Sequence, residues 1–250
     1  FIDMNSNSNN QGGGVYINGY NKNCNVVIFN NMITRNAHTG NGAYNYGGGL
    51  SIQTDNITLT NNTITGNVAN QPGGGIVLSA YSSGVYDIFN NIIWGNSASS
   101  GGDIYIYNSN SVIKNVYNNN FDPSKVAGNP FTNQANNVNL DPLFIDSANG
   151  NFHLTQNSPL INIGNNIAPS LPATDFEDDS RIVGGIVDIG ADEMALNNSP
   201  VANPDSPYTG IEGQIIILDG SGSNDSDGSI VLYEWDIDNA VKTAYGLTST

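Results

Sequence analysis

The chain has 250 residues, of which 22 are acidic and six basic, giving a formal charge of −16, with one cysteine, Cys24. A surface this negative repels phosphate backbones and anionic headgroups, which excludes nucleic acid and an electrostatic membrane anchor as partners. A lone cysteine excludes an internal disulfide, and the longest purely aliphatic run, Ile215 to Leu218, is far short of the roughly 18 residues of a membrane span. The opening Phe1, with no basic-then-apolar leader behind it, reads as the start of a piece of a larger protein.

The first half repeats itself. GGGVYI from Gly12, GGGLSI from Gly47, GGGIVL from Gly73 and GGDIYI from Gly101 recur at spacings of 35, 26 and 28 residues. Each is followed by a second phrase: NNMITRN from Asn30, NNTITGN from Asn61, NNIIWGN from Asn90 and the degenerate NNNF from Asn118. A unit of nearly constant length with insertions is the signature of a solenoid. Apolar residues alternate after each glycine run (Val15 and Ile17, Leu50 and Ile52, Ile76 and Leu78, Ile104 and Ile106), so the unit is built of short strands. A second strand shows the same beat at Val26 and Ile28, Ile57 and Leu59, and Tyr86 and Ile88, and Ile33, Ile64, Ile93 and Phe121 align as a third column. Coils stacked about 4.8 Å apart turn these columns into aliphatic ladders. Asn30, Asn61 and Asn90 suit the turns, because asparagine tolerates left-handed backbone and its amide can bond the next coil. The pattern, covering about Gly12 to Phe121, resembles the right-handed parallel β-helix of pectate-lyase-like proteins and of many surface proteins, a fold that serves lyases, hydrolases, adhesins and stalks alike.

Past Phe121 come DPLFID from Asp141, SPLIN from Ser158, and TDFEDDSRIVGGIVDIGADE from Thr174. A solenoid end needs covering, and residues 131–196 are placed to supply the last coils and a cap. The phrases, in this order, resemble the ending of the surface-protein family called choice-of-anchor, although its Asp-Gly step is here Glu177-Asp178. Arg181 is the only base among seven acids of this stretch, so it is expected to lock the last turns through carboxylates such as Asp188 or Glu193, and the remaining acids could hold calcium.

Residues 197–207, polar with three prolines, read as a linker. Residues 208–250 alternate again, and SPVANPDSPYTG with ILDGSGSNDSDGSIVLYEWDID resembles the immunoglobulin-like polycystic-kidney-disease (PKD) module, lacking its last strands. The expected class is thus all-β: a parallel β-helix over 1–130, its cap, and an incomplete sandwich completed further along the chain or by another chain. Asp225, Asp227, Asp236 and Asp238 are candidate ligands for Ca2+, since crowded carboxylate oxygens repel unless a cation lies between them. Charge is uneven: residues 1–140 net −1 and residues 141–250 net −15, while 32 of 43 asparagines lie in the first part.

Catalysis on polysaccharides by this fold needs carboxylates and a base on one outer face. Arg35 instead aligns with Gly66 and Gly95, Lys22 and His38 fall in insertions, and Asp55, Asp87 and Asp103 occupy different positions of the repeat. His38 and His153 lack ligand-spaced neighbours and read as solvated or packing residues. Phe29, Phe89 and Tyr117 align on one outer face and Tyr16 and Tyr105 on another, a pattern suited to stacking on sugars unless loops such as Asn36 to Tyr46 cover the rings. The preferred reading is a non-catalytic structural, adhesive or glycan-binding region of an extracellular or cell-surface protein, with a polysaccharide, another surface protein or a further copy of the chain as partner. The alternative is a β-helix lyase or glycoside hydrolase with its groove here or in coils upstream.

Overall fold

A computed structural model describes residues 1–8, 12–19, 24–41, 46–107, 110–195, 199–226 and 229–235. The chain divides into two units, Phe1–Ala195 and Leu196–Thr250. The first is a parallel β-solenoid. One face stacks Val15–Asn18, Leu50–Gln53, Ile76–Ser79, Ile104–Tyr107 and Val126–Gly128, and a second stacks Asn25–Phe29, Asn56–Thr60, Gly84–Phe89, Val112–Tyr117 and Asn133–Ala135. A third stacks Ile2–Asp3, Met32–Thr34, Thr63–Thr65 and Ile92–Trp94. Equivalent residues pair in register from coil to coil, as Leu50 with Ile76 and Ile76 with Ile104, or Ile33 with Ile64 and Ile64 with Ile93. The three aliphatic columns meet in one narrow core. Among the described residues its one basic intruder is Lys114, in register with Tyr86 and, one coil further, Ile57. Its Nζ donates to the Val112 carbonyl at 2.8 Å, and burial pushes its pKa down.

Two asparagine columns hold the corners. The first of each pair (Asn30, Asn61, Asn90, Asn118) makes the turn at φ of 52 to 56°, which asparagine tolerates better than other side chains. The second of each pair points inward and builds a continuous ladder. The backbone N–H and Nδ2 of Asn31 both reach Asn62 Oδ1, those of Asn62 reach Asn91 Oδ1, those of Asn91 reach Asn119 Oδ1, and those of Asn119 reach Asn137 Oδ1. The last asparagine of the phrase repeats the device: Asn5 donates to Asn36, Asn36 to Asn67 and Asn67 to Asn96. The third glycine of each run makes room for this second ladder, since a Cβ on Gly49 would lie 2.9 Å from Asn67 Nδ2. The coil of Gly101 lacks the last asparagine and carries Asp103 in place of that glycine. Asp103 Oδ1 accepts from the N–H and Nδ2 of Asn96 at 3.1 Å, so a side chain from the glycine column ends the ladder.

Residues 158–193 contain no strand and run along the flank of the stack. Asn118 Nδ2 donates to the Ile163 carbonyl, Asn90 Nδ2 to Asn165, Asn30 Nδ2 to Thr174, and Asn61 Nδ2 to Asp188 and Gly190. These four turn asparagines therefore bind this segment, and Met32 and Ile92 pack against its apolar residues. These contacts cover a side of the solenoid; the expected cap over its last coil is not shown by them. A hairpin of Phe144–Asp146 and Asn151–Leu154 precedes the flanking segment. In the second unit the described residues hold one antiparallel bridge, Val201 with Asn224, and no strand, so the sandwich expected there is not shown.

The two asparagines of a pair should respond differently to mutation. Asn119→Ala removes the acceptor of two Asn91 donors and three donations of its own, and should cost about 3 kcal/mol or more, since each orphaned buried group costs roughly 1–3 kcal/mol. Asn118→Gly keeps the left-handed turn and loses one bond to Ile163, so it should cost under about 1 kcal/mol. Urea unfolding of both variants measures the contrast.

Candidate functional site

Arg35 occupies the turn after the third face, at φ 52°, where the next two coils have Gly66 and Gly95 at φ 66° and 65°. The missing side chains leave a notch. The hairpin forms its opposite wall, and the result is a groove of about 520 Å3 lined by Arg35, Trp94, Gly95, Asp141, Phe144 and Phe152 among others. Arg35 is held by Asp3, to which Nε donates at 2.9 Å and Nη2 also donates, and its Nη1 reaches the Ala148 carbonyl at 3.4 Å. The guanidinium lies 5.6 Å from the Phe152 ring centre. The hydrogen bonds from Arg35 hold the Asp3 carboxyl below its ordinary range. The groove thus offers apolar rings with one pre-oriented cation already matched by an acid.

The aromatic residues picked out by the sequence do not form one surface. Phe89 and Tyr117 stack on each other with centroids 5.3 Å apart, so along the stack their ring faces are turned toward one another. Phe29 is 44% exposed but separated from them by Thr60, which is buried and donates to the Pro169 carbonyl at 2.6 Å. On the other face Tyr105 packs against Tyr46 and Tyr107, so the end of the expected covering loop does lie over it. Tyr16 is 40% exposed, and its hydroxyl accepts from Asn18. Trp94, Phe144 and Phe152 were missed because two of them belong to a segment that carries no repeat; the alignment of Arg35 with two glycines was the one signal of a notch.

Arg181 and Glu193 form a buried ion pair at 3.2 Å. Arg181 Nη1 also donates to Asn30 Oδ1 at 3.1 Å and the Ala191 carbonyl at 3.0 Å, tying the flanking segment to the first turn of the stack. Glu193 accepts from the N–H groups of Val183 and Asp188, and Asp188 from those of Asn162 and Met194. Burial pushes the Glu193 carboxyl up to about 7 against these donors and Arg181, and raises Asp188 as well. Among the acids left over, Glu177 and Asp192 lie beside His153. Of the calcium candidates, Asp225 is among the described residues, while Asp227, Asp236 and Asp238 lie outside them. Asp87 faces outward with Thr58 and Asn115 in register on either side, and Asn115 Nδ2 donates to it at 2.8 Å.

No family model, curated protein or solved structure matches the chain. The solenoid stands on its own strand register; the likenesses to β-helix enzymes, choice-of-anchor proteins and PKD modules are likenesses of sequence motifs.

Arg181→Leu strands the buried Glu193 carboxyl and takes a donor from two acceptors, Asn30 Oδ1 and the Ala191 carbonyl, and should cost about 3–5 kcal/mol. The double replacement Arg181→Leu with Glu193→Leu should recover part of that loss, because neither charge is then buried alone. Unfolding midpoints of the two variants decide it.

Proposed function

We propose that this chain is a non-catalytic, glycan-binding solenoid region of an extracellular or cell-surface protein, and that the groove of Arg35, Trp94 and Phe152 receives the sugar. The observation that carries the reading is the composition of that groove: about 520 Å3, walled by three aromatic rings and a fixed guanidinium. Rings stack on the C–H faces of a pyranose while a guanidinium and a carboxylate bond its hydroxyls. The balance of Arg35 against Asp3 and Asp141, within a chain of charge −16, favours a neutral polysaccharide over a uronate polymer. The fold supports it too, because a stack whose amide ladders fix the corners on both sides of the third face holds the groove walls without rearrangement on binding.

Lyase or hydrolase chemistry is the weaker reading. Asp87 has a threonine and an asparagine as its neighbours in the stack, where a catalytic face needs a second carboxylate or a base. A calcium-bound second unit is part of the proposal. It rests on the net −7 of residues 196–250 and on the acid-rich turn at Asp225, and an extracellular setting suits it.

Affinity electrophoresis with soluble neutral glycans should retard the protein, with pectate having little effect. Trp94→Ala should weaken retardation about tenfold, as loss of a stacking ring does, whereas Phe89→Ala should leave it unchanged. Absence of retardation by any glycan, or an unaffected Trp94→Ala, refutes the groove; release of unsaturated or reducing ends refutes the non-catalytic reading. Calorimetry that detects no Ca2+ uptake, with a melting temperature indifferent to chelator, removes calcium.

A further inference from the structure

We propose that His153, Glu177 and Asp192 form a binding site for a divalent transition-metal ion, with Zn2+ as the natural probe. The three side chains come from the hairpin and from two stretches of the flanking segment, and one ligand atom of each lies within 4.8 Å of the others. The orientation of His153 is what points to a metal. Asn151 Oδ1 accepts the backbone N–H of His153 at 3.2 Å, which fixes that oxygen as an acceptor, and the same oxygen lies 2.6 Å from His153 Nδ1. Nδ1 is thereby anchored on Asn151, and Nε2 is the nitrogen turned toward Glu177 Oε2, 2.9 Å away, a contact that either a proton on Nε2 or a metal ion bound beside the two atoms satisfies. A carbonyl oxygen that accepts from Nδ1–H, as Asn151 Oδ1 does here, is the usual partner of a metal-bound imidazole.

The rest of the site is equally fixed. Asp192 is 6% exposed and accepts the Leu154 N–H at 2.9 Å through Oδ2, while the described residues supply no donor to Oδ1. Asp175, whose carboxylate accepts from the N–H groups of Glu177 and Glu193, holds both ligand-bearing stretches of backbone. The His153 and Glu177 side chains are 34% and 46% exposed, so an ion reaches the site from solvent. One imidazole nitrogen with two carboxylate oxygens suits zinc and its neighbours and leaves a coordination position open. Calcium, which takes six to eight oxygens, is poorly served by it. The site is separate from the glycan groove: Phe152 lines the groove and the next residue, His153, turns to the other side of the hairpin strand.

The test is titration of the 250-residue chain, freed of metal, with ZnCl2 against a chromophoric chelator, and with CoCl2 followed by visible absorption. One equivalent of Zn2+ should bind, Co2+ should give the intense bands of a low-coordinate site, and excess Ca2+ should not displace either. His153→Gln and Glu177→Gln should each weaken binding at least about tenfold, while Cys24→Ser should not. The partly exposed position of Glu177 lets that variant keep its fold, checked by its circular dichroism and melting temperature. Lack of Zn2+ binding, as expected of a protonated His153 paired with Glu177, overturns the proposal. So do wild-type affinity in both variants and displacement by equimolar Ca2+.

Discussion

The amide ladder is the constraint on which the molecule depends. A solenoid turns its backbone at every corner, and each corner leaves N–H and C=O groups facing inward where water does not reach. The column Asn31, Asn62, Asn91, Asn119 and Asn137 answers this by giving each amide oxygen two donors from the preceding coil and spending each Nδ2 on carbonyls and on the next amide. The second column, through Asn36, Asn67 and Asn96, forces the glycine opposite it, because amide and Cβ cannot share the space. The glycine run and the asparagine phrase are therefore one device split across the repeat. Asp103 confirms the coupling: where the asparagine is missing, the glycine is missing too, and a carboxylate supplies the acceptor.

A regular stack offers solvent the same rows on every coil, so distinctive chemistry arises where a coil breaks the repeat. Arg35 replaces a glycine and turns a bare notch into a groove with a cation. Thr60 replaces an aromatic residue, and the flanking segment uses the gap to place Pro169 against it. The same segment takes up the outward amides of the turn residues, so asparagines chosen for backbone conformation also serve as docking points for it.

The charge has a corresponding division. The stack is nearly neutral and is held by amides and aliphatic side chains. The flanking segment is acidic, yet several of its carboxylates are buried and bonded to backbone N–H groups, with Arg181 as their only guanidinium. Carboxylates packed this way order loops that have no strand of their own, which is how a segment without secondary structure holds both the groove wall and the His153 cluster in place.

By itself the sequence determined the solenoid, its strand positions and its aliphatic columns, because alternation and a fixed repeat length leave few ways to bury those residues. It also placed asparagine at the turns, since few side chains accept a left-handed backbone. Tertiary structure alone decided which asparagine of each pair builds the ladder, because both have the same chemistry and only the inward direction of the second distinguishes them. It alone placed the segment after Ser158 along the flank, brought Trp94 to Phe152, and set His153 beside Glu177 and Asp192. Those contacts join residues far apart in the chain and outside the repeat, where no periodicity records which side chains will meet.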